Sequence, residues 1–202
     1  MFSRLLAALG AAALLQGCAS GPVTTLEMSW VTPQLPQEPF KKLLIISVAR
    51  DDFVQIAFQD QMAAALKARG INAVASKRYF SSGTEAEKAR FKQSIDDSGA
   101  DFVLIGHVTG RDMKTRDDQF MSVADATGMY TAYDRYVSVA RSSGDYSLET
   151  VTAEVSIFGV EGQKLIWSAR TRIANPRSTT GEDFAPQYIA VILEAMKKDK
   201  LF

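Results

Sequence analysis

The sequence predicts an α/β fold: a single three-layer domain in which a mixed sheet of about five strands is covered by three main helices. Three observations carry this expectation. Short apolar runs alternate with segments of helical period through residues 41–108, which calls for parallel strand neighbours joined by helical crossovers. Residues 148–158 and 163–173 then read as two strands meeting at a turn signal, Glu161-Gly162, which adds an antiparallel pair. Phe184, Tyr188, Val191, Ile192 and Ala195 fall at helical spacing and supply a last helix to pack on the sheet.

The chain starts with Arg4 and an Ala/Leu run from Leu5 to Leu15, an apolar region of about a dozen residues. That is signal-peptide length and short of the about 20 apolar residues that span a bilayer. It ends in Leu15-Gln16-Gly17-Cys18, which resembles the bacterial lipobox, so residues 1–17 read as a signal peptide cut between Gly17 and Cys18. Only a thiol forms the thioether to diacylglycerol, and Cys18 is the one cysteine, so no intramolecular disulfide competes for it. Two or three acyl chains anchor persistently where one does not. Ala19, in place of the Asp that favours inner-membrane retention, points to the outer membrane, with the domain on its periplasmic face.

Residues 18–40 hold four of the six prolines and read as a lipidated, Pro-rich tether with a reach of up to roughly 60 Å. Alternatively, Trp30 and Val31 dock on the domain as an edge strand. The globular domain spans 41–202. Within it, Lys41–Val48 (KKLLIISV) suits a central strand buried on both faces. Val54, Phe58, Met62 and Leu66 recur every four residues on a helix from Phe53 to Arg69, with Gly70 as its left-handed stop. Ile71–Ser76 is a second strand.

Thr84-Glu85-Ala86-Glu87 fits a capping box, with Thr84 accepting from the Glu87 amide and the Glu87 carboxylate reaching back to Thr84. The helix it starts runs to Ser98 and stops at Gly99, and Asp101–Val108 forms the third strand. Residues 111–147 read as a Met/Tyr-rich insertion holding four of the six tyrosines. Tyr and Met favour interfaces, which makes Tyr130, Tyr133 and Tyr136 a candidate partner surface; the alternative is a hairpin packed on the domain itself. Leu148–Phe158 alternates Val151, Ala153, Val155 and Ile157 with Thr150, Thr152, Glu154 and Ser156, the pattern of a half-exposed strand.

Composition and motifs exclude more chemistry than they suggest. With 23 basic and 23 acidic side chains there is no cationic excess, so nucleic acid is not an expected partner. His107, the one histidine, stands at a strand end with Ser47, Ser76 and Asp112 as conceivable neighbours, but no nucleophile elbow accompanies it. One histidine and one lipidated cysteine make no zinc site, and Asp112, Asp117 and Asp118 lack the spacing of a calcium loop. No dinucleotide or P-loop fingerprint is present, so no metal or cofactor is expected.

The order of elements, together with Lys42–Val48, Gly70 followed by Ile71–Ser76, Gly99–Ile105 and Lys164–Ala169, resembles a group of proteobacterial outer-membrane lipoproteins. Their domain is similar to the TolB amino-terminal domain and the CsgG-like periplasmic domains. The resemblance covers about residues 41–196 and implies an accessory role in envelope assembly, secretion or cell-wall synthesis through binding another envelope protein. The long amphipathic segments of a pore-forming member and the propeller repeats of TolB are missing. The expected function is therefore a non-enzymatic module, membrane-anchored by acyl chains, that binds an envelope protein or the cell wall. The alternatives are an envelope hydrolase using His107 and a carrier of a small molecule or lipid.

Overall fold

In the computed structural model, which describes residues 23–33, 35, 40–50, 52–110, 128–142, 150–174 and 181–202, a six-stranded sheet carries helices on both faces. In chain order the elements are β1 (Val23–Val31), β2 (Leu43–Val48), α1 (Asp52–Lys67), β3 (Ala73–Ala75), α2 (Glu85–Ser98), β4 (Phe102–Gly110), α3 (Met129–Ser142), β5 (Thr150–Gly159), β6 (Leu165–Ala174) and α4 (Gly181–Lys198). A 3-10 turn, Glu161–Gln163, joins β5 to β6. The strands lie in the order β1-β6-β5-β4-β2-β3; β2 is parallel to β3 and β4, and the other pairs are antiparallel.

The α/β class and mixed sheet are as expected, with six strands and four α-helices among the described residues where about five and three are expected. Two apolar clusters fill the spaces between layers. On one face α1 and α4 pack Phe58, Met62, Leu66, Ile189 and Ile192 against Leu43, Ile45, Leu104 and Val155. On the other, α2 and α3 pack Phe91, Ile95, Tyr133 and Val137 against Leu44, Ile46, Val103 and Ile105. The six residues of β2 are buried because each alternate side chain has a core to enter, as its uninterrupted apolar run requires.

The additional strand lies inside the expected tether. Residues 23–31 pair with β6 from Val23 opposite Ala174 to Val31 opposite Trp167, so the edge-strand reading of Trp30 and Val31 holds and the sheet takes in residues upstream of 41. A bulge at Glu27 switches which face the side chains enter: Leu26 and Val31 pack on the α1/α4 core, Trp30 on the α2/α3 core. Pro33, Pro36 and Pro39 belong to the connection from β1 to β2. β1 and β2 lie four strand spacings apart, roughly 19 Å.

The hairpin expected within 111–147 is instead, over Met129–Ser142, helix α3; Met129, Ala132, Tyr133, Tyr136, Val137 and Ala140 form its buried stripe. Beneath α3 the polar side of β5 is covered as well, so Glu154 and Ser156 are buried and β5 is a central strand, not a half-exposed one. Residues 1–22, with Gly17 and Cys18, and 111–127, with Asp112, Asp117 and Asp118, lie outside the described residues, as do 143–149.

Candidate functional site

Strand register sets the most polar part of the interior. His107 on β4 lies opposite Glu154 on β5, which lies opposite Arg170 on β6, so three titratable side chains form one row across the sheet beneath α3. Arg170 Nε donates to Glu154 Oε1 over 2.8 Å, and the second carboxylate oxygen stands 3.5 Å from His107 Nε2. Tyr136 reaches down from α3 to stack on the imidazole, with centroids 3.6 Å apart and planes at 23°. Its hydroxyl donates to Ser156 Oγ over 3.2 Å. Among the described residues His107 Nδ1 and Ser168 Oγ have no hydrogen-bond partner.

Burial, and after it the charge of Arg170, push the His107 imidazole down to about 3, so the ring is neutral at physiological pH. Burial also raises the Glu154 carboxyl, against the opposing pull of Arg170. The His107–Glu154 contact is therefore that of a neutral ring with a buried carboxyl group that Arg170 also holds. A hydrolase would need a hydroxyl within reach of the imidazole. Ser47 pairs in register with Gly106 and so lies on the opposite face of the sheet from His107. Ser76 donates its hydroxyl to Gln59 of α1 over 2.7 Å. Neither expected serine meets His107.

The tyrosines on α3 divide. Tyr133 and Tyr136 are core residues, 1% and 3% exposed, and Tyr130 is half-buried, so they do not form the partner surface that composition suggests. Their spacing places them on the helix face turned to the sheet and to α2. Tyr133 stacks on Phe91 with centroids 4.0 Å apart, Phe80 stands edge-on to both, and Tyr130 meets Phe91 edge-on.

Beneath this cluster lies Glu87, a residue whose role the capping motif only partly indicates. Thr84 accepts from the Glu87 amide as expected, but the carboxylate reaches past Thr84, to the backbone amides of Ser82 and Gly83 and to the Ser82 hydroxyl. Tyr133 Oη adds a fourth donor at 2.8 Å. Burial raises the carboxyl, but the donors from Ser82, Tyr133 and Gly83 outweigh it and hold it at about 2.

Between the start of α2 and the exposed flank of α3 opens a surface cleft of about 460 Å³, lined by Gly83, Lys88, Asp134, Val137, Ser138 and Arg141. Lys88 closes part of it, bonded to Asp134 and Glu85, each over 3.2 Å. The lining of the cleft is mixed, with Lys88, Asp134, Ser138 and Arg141 beside Gly83 and Val137. Among the described residues no group of three His, Cys, Asp or Glu side chains is placed to hold a metal, and no helix is long and apolar enough to cross a membrane.

No family model matches the sequence, and no curated protein matches it. Among solved structures, the chain is similar to the PelC dodecamer from Paraburkholderia phytofirmans, at 15% identity over 86% of this chain and 95% of that one, with a TM-score of 0.44. A point variant of the same protein gives 14% identity over 83% and 95%, also with a TM-score of 0.44. Lipoprotein GNA1162 from Neisseria meningitidis gives 13% identity over 79% and 99%, with a TM-score of 0.39. At these values none of them carries an argument about activity, ligand or partner.

Proposed function

We propose that this chain is a lipid-anchored envelope protein acting as a non-enzymatic binding or accessory module for a protein complex or the cell wall. The observation that carries the anchor is Leu15-Gln16-Gly17-Cys18, placed at the end of a signal-length apolar run and containing the only cysteine. In this reading the peptidase cuts after Gly17, Cys18 carries the acyl chains, and Ala19 directs the protein to the outer membrane with its domain in the periplasm. The binding role is supported by the seclusion of His107 beneath Tyr136 and its separation from Ser47 and Ser76.

The test compares wild type with Cys18→Ala in cells fed an alkyne fatty acid. Wild type takes up the label and fractionates with membranes; the variant loses both. Unchanged membrane retention in Cys18→Ala overturns the anchor. For the binding role, photo-crosslinking from exposed positions recovers an envelope partner. Turnover of an envelope substrate by the pure domain, abolished in His107→Ala, overturns it.

A further inference from the structure

We infer that the mature domain rests on the lipid bilayer by the end of the sheet where β1 begins, and presents the Glu161–Gln163 turn at the opposite end to the periplasm. The inference rests on the acylated Cys18 proposed above and adds an orientation to it. Only Ala19–Pro22 separate Cys18 from Val23, the first residue of β1. Five Cα steps reach at most roughly 17 Å. Val23 is already in register with Ala174, which in turn lies opposite Thr150, so the short link is tied to a strand fixed within the sheet.

Strand direction then decides which end faces the lipid. β1 and β5 start at the anchored end, and β2, β4 and β6 finish there. The ten residues of β5 run about 33 Å away from it, to Gly159 and the turn beyond. The β1 edge of the anchored end is uncharged, while exposed Arg50, Asp52 and Lys77 lie past the ends of β2 and β3 on the far edge of the same end. The anchored row is Val23, Ala174 and Thr150, uncharged, with Val23 58% exposed, one of the large apolar side chains that the domain leaves outside its core. The distal end carries exposed Lys41, Asp101, Glu161 and Lys164. A tether of 60 Å would leave orientation free; a link of 17 Å does not.

The experiment uses the full lipidated protein in vesicles of phosphatidylethanolamine and phosphatidylglycerol containing an acceptor-labelled lipid. Because the Cys18 thiol is consumed in the thioether, a cysteine introduced by Thr25→Cys or Glu161→Cys is the only thiol that takes a donor fluorophore. Both positions are exposed. The fluorophore at 25 is expected to be quenched at least about threefold more strongly than the one at 161, given the roughly 30 Å between the two ends. A twenty-residue Gly/Ser insertion between Pro22 and Val23, spanning roughly 25 Å as a coil, should remove most of that difference. Equal quenching at the two positions, or stronger quenching at 161, overturns the orientation; the latter would mean that the Val23 end faces a partner or a second copy. The intact mass of each sample separates the two readings, since a Cys18 without acyl chains overturns the anchor itself and the orientation with it.

Discussion

Tyr133 on α3 donates its hydroxyl to Glu87 on α2 over 2.8 Å, across 46 residues of chain. The bond joins the two helices of one layer at the point where the Ser82–Gly83 turn is also held, so a single carboxylate fixes a turn, a helix start and a helix pair. Glu87→Ala leaves two backbone amides and two hydroxyls without their acceptor and should lower stability by about 3 kcal/mol in urea unfolding. Tyr133→Phe removes one donor and should cost about 1.5 kcal/mol.

The same carboxylate predicts an acid response. Its native value of about 2 lies below the ordinary 4.5, so the unfolded chain takes up this proton first as pH falls. The stabilisation is complete above about 4.5 and is lost as pH drops towards 2. Glu87→Gln should therefore flatten the stability profile between those values. A variant that falls as steeply as wild type would contradict the hydrogen-bond account.

His107 titrates at a different place. Its native value of about 3 lies below the ordinary 6.5, so protonation of the unfolded chain destabilises the fold progressively as pH falls from 6.5 towards 3. Glu154, raised by burial, contributes the opposite slope above its ordinary value, so the informative quantity is the difference between wild type and His107→Phe. Phenylalanine keeps a ring against Tyr136 and does not titrate. Wild type should lose stability relative to the variant as pH falls through this window.

The pair beside it gives a third prediction. Arg170→Met leaves the buried Glu154 carboxylate without its cation and should cost about 3–5 kcal/mol. Adding Glu154→Leu should recover most of the loss, because an apolar pair of similar volume removes both charges from the interior. A double variant no more stable than the single one would show that the pair itself stabilises the fold.

Gly106 lies where α1 meets the sheet. A Cβ there would stand 2.7 Å from Cε1 of Phe58, a buried ring already tilted against Tyr188. Gly106→Ala should displace the ring and lower stability by about 2 kcal/mol, measured as a reduced melting temperature.

Much of this architecture is legible in the residues. The β-α alternation from 41 to 108, the Thr84 cap and the Gly99 stop all depend on local chemistry, and α2 runs Glu85–Ser98 with Gly99 in the left-handed region at φ 59°. The Glu154–Arg170 pairing is not legible there: the register beside the turn, Phe158 opposite Leu165, would put Glu154 opposite Ala169, and the shift between Ile157 and Phe158 brings Arg170 into place. Two elements depend on context as well. In β1, the prolines that follow suggest an extended tether, and only pairing with β6 makes Val23–Val31 part of the sheet. In α3, Tyr and Val favour strand by propensity, while the three- and four-residue spacing from Met129 to Ala140 favours helix. The helix prevails because that stripe covers Ile46, Val103 and Ile105. His107 at a strand end resembles an open site in sequence and is sealed in the fold by that same helix.

The central claim is the lipid on Cys18, and the most direct measurement is the mass of the amino-terminal tryptic peptide of protein purified from membranes. No Lys or Arg occurs between Cys18 and Phe40, so cleavage after Lys41 isolates residues 18–41. The account predicts a peptide that begins at Cys18 and carries the mass of a diacylglyceryl thioether. A peptide that begins elsewhere, or an unmodified Cys18 in membrane-purified protein, would contradict it.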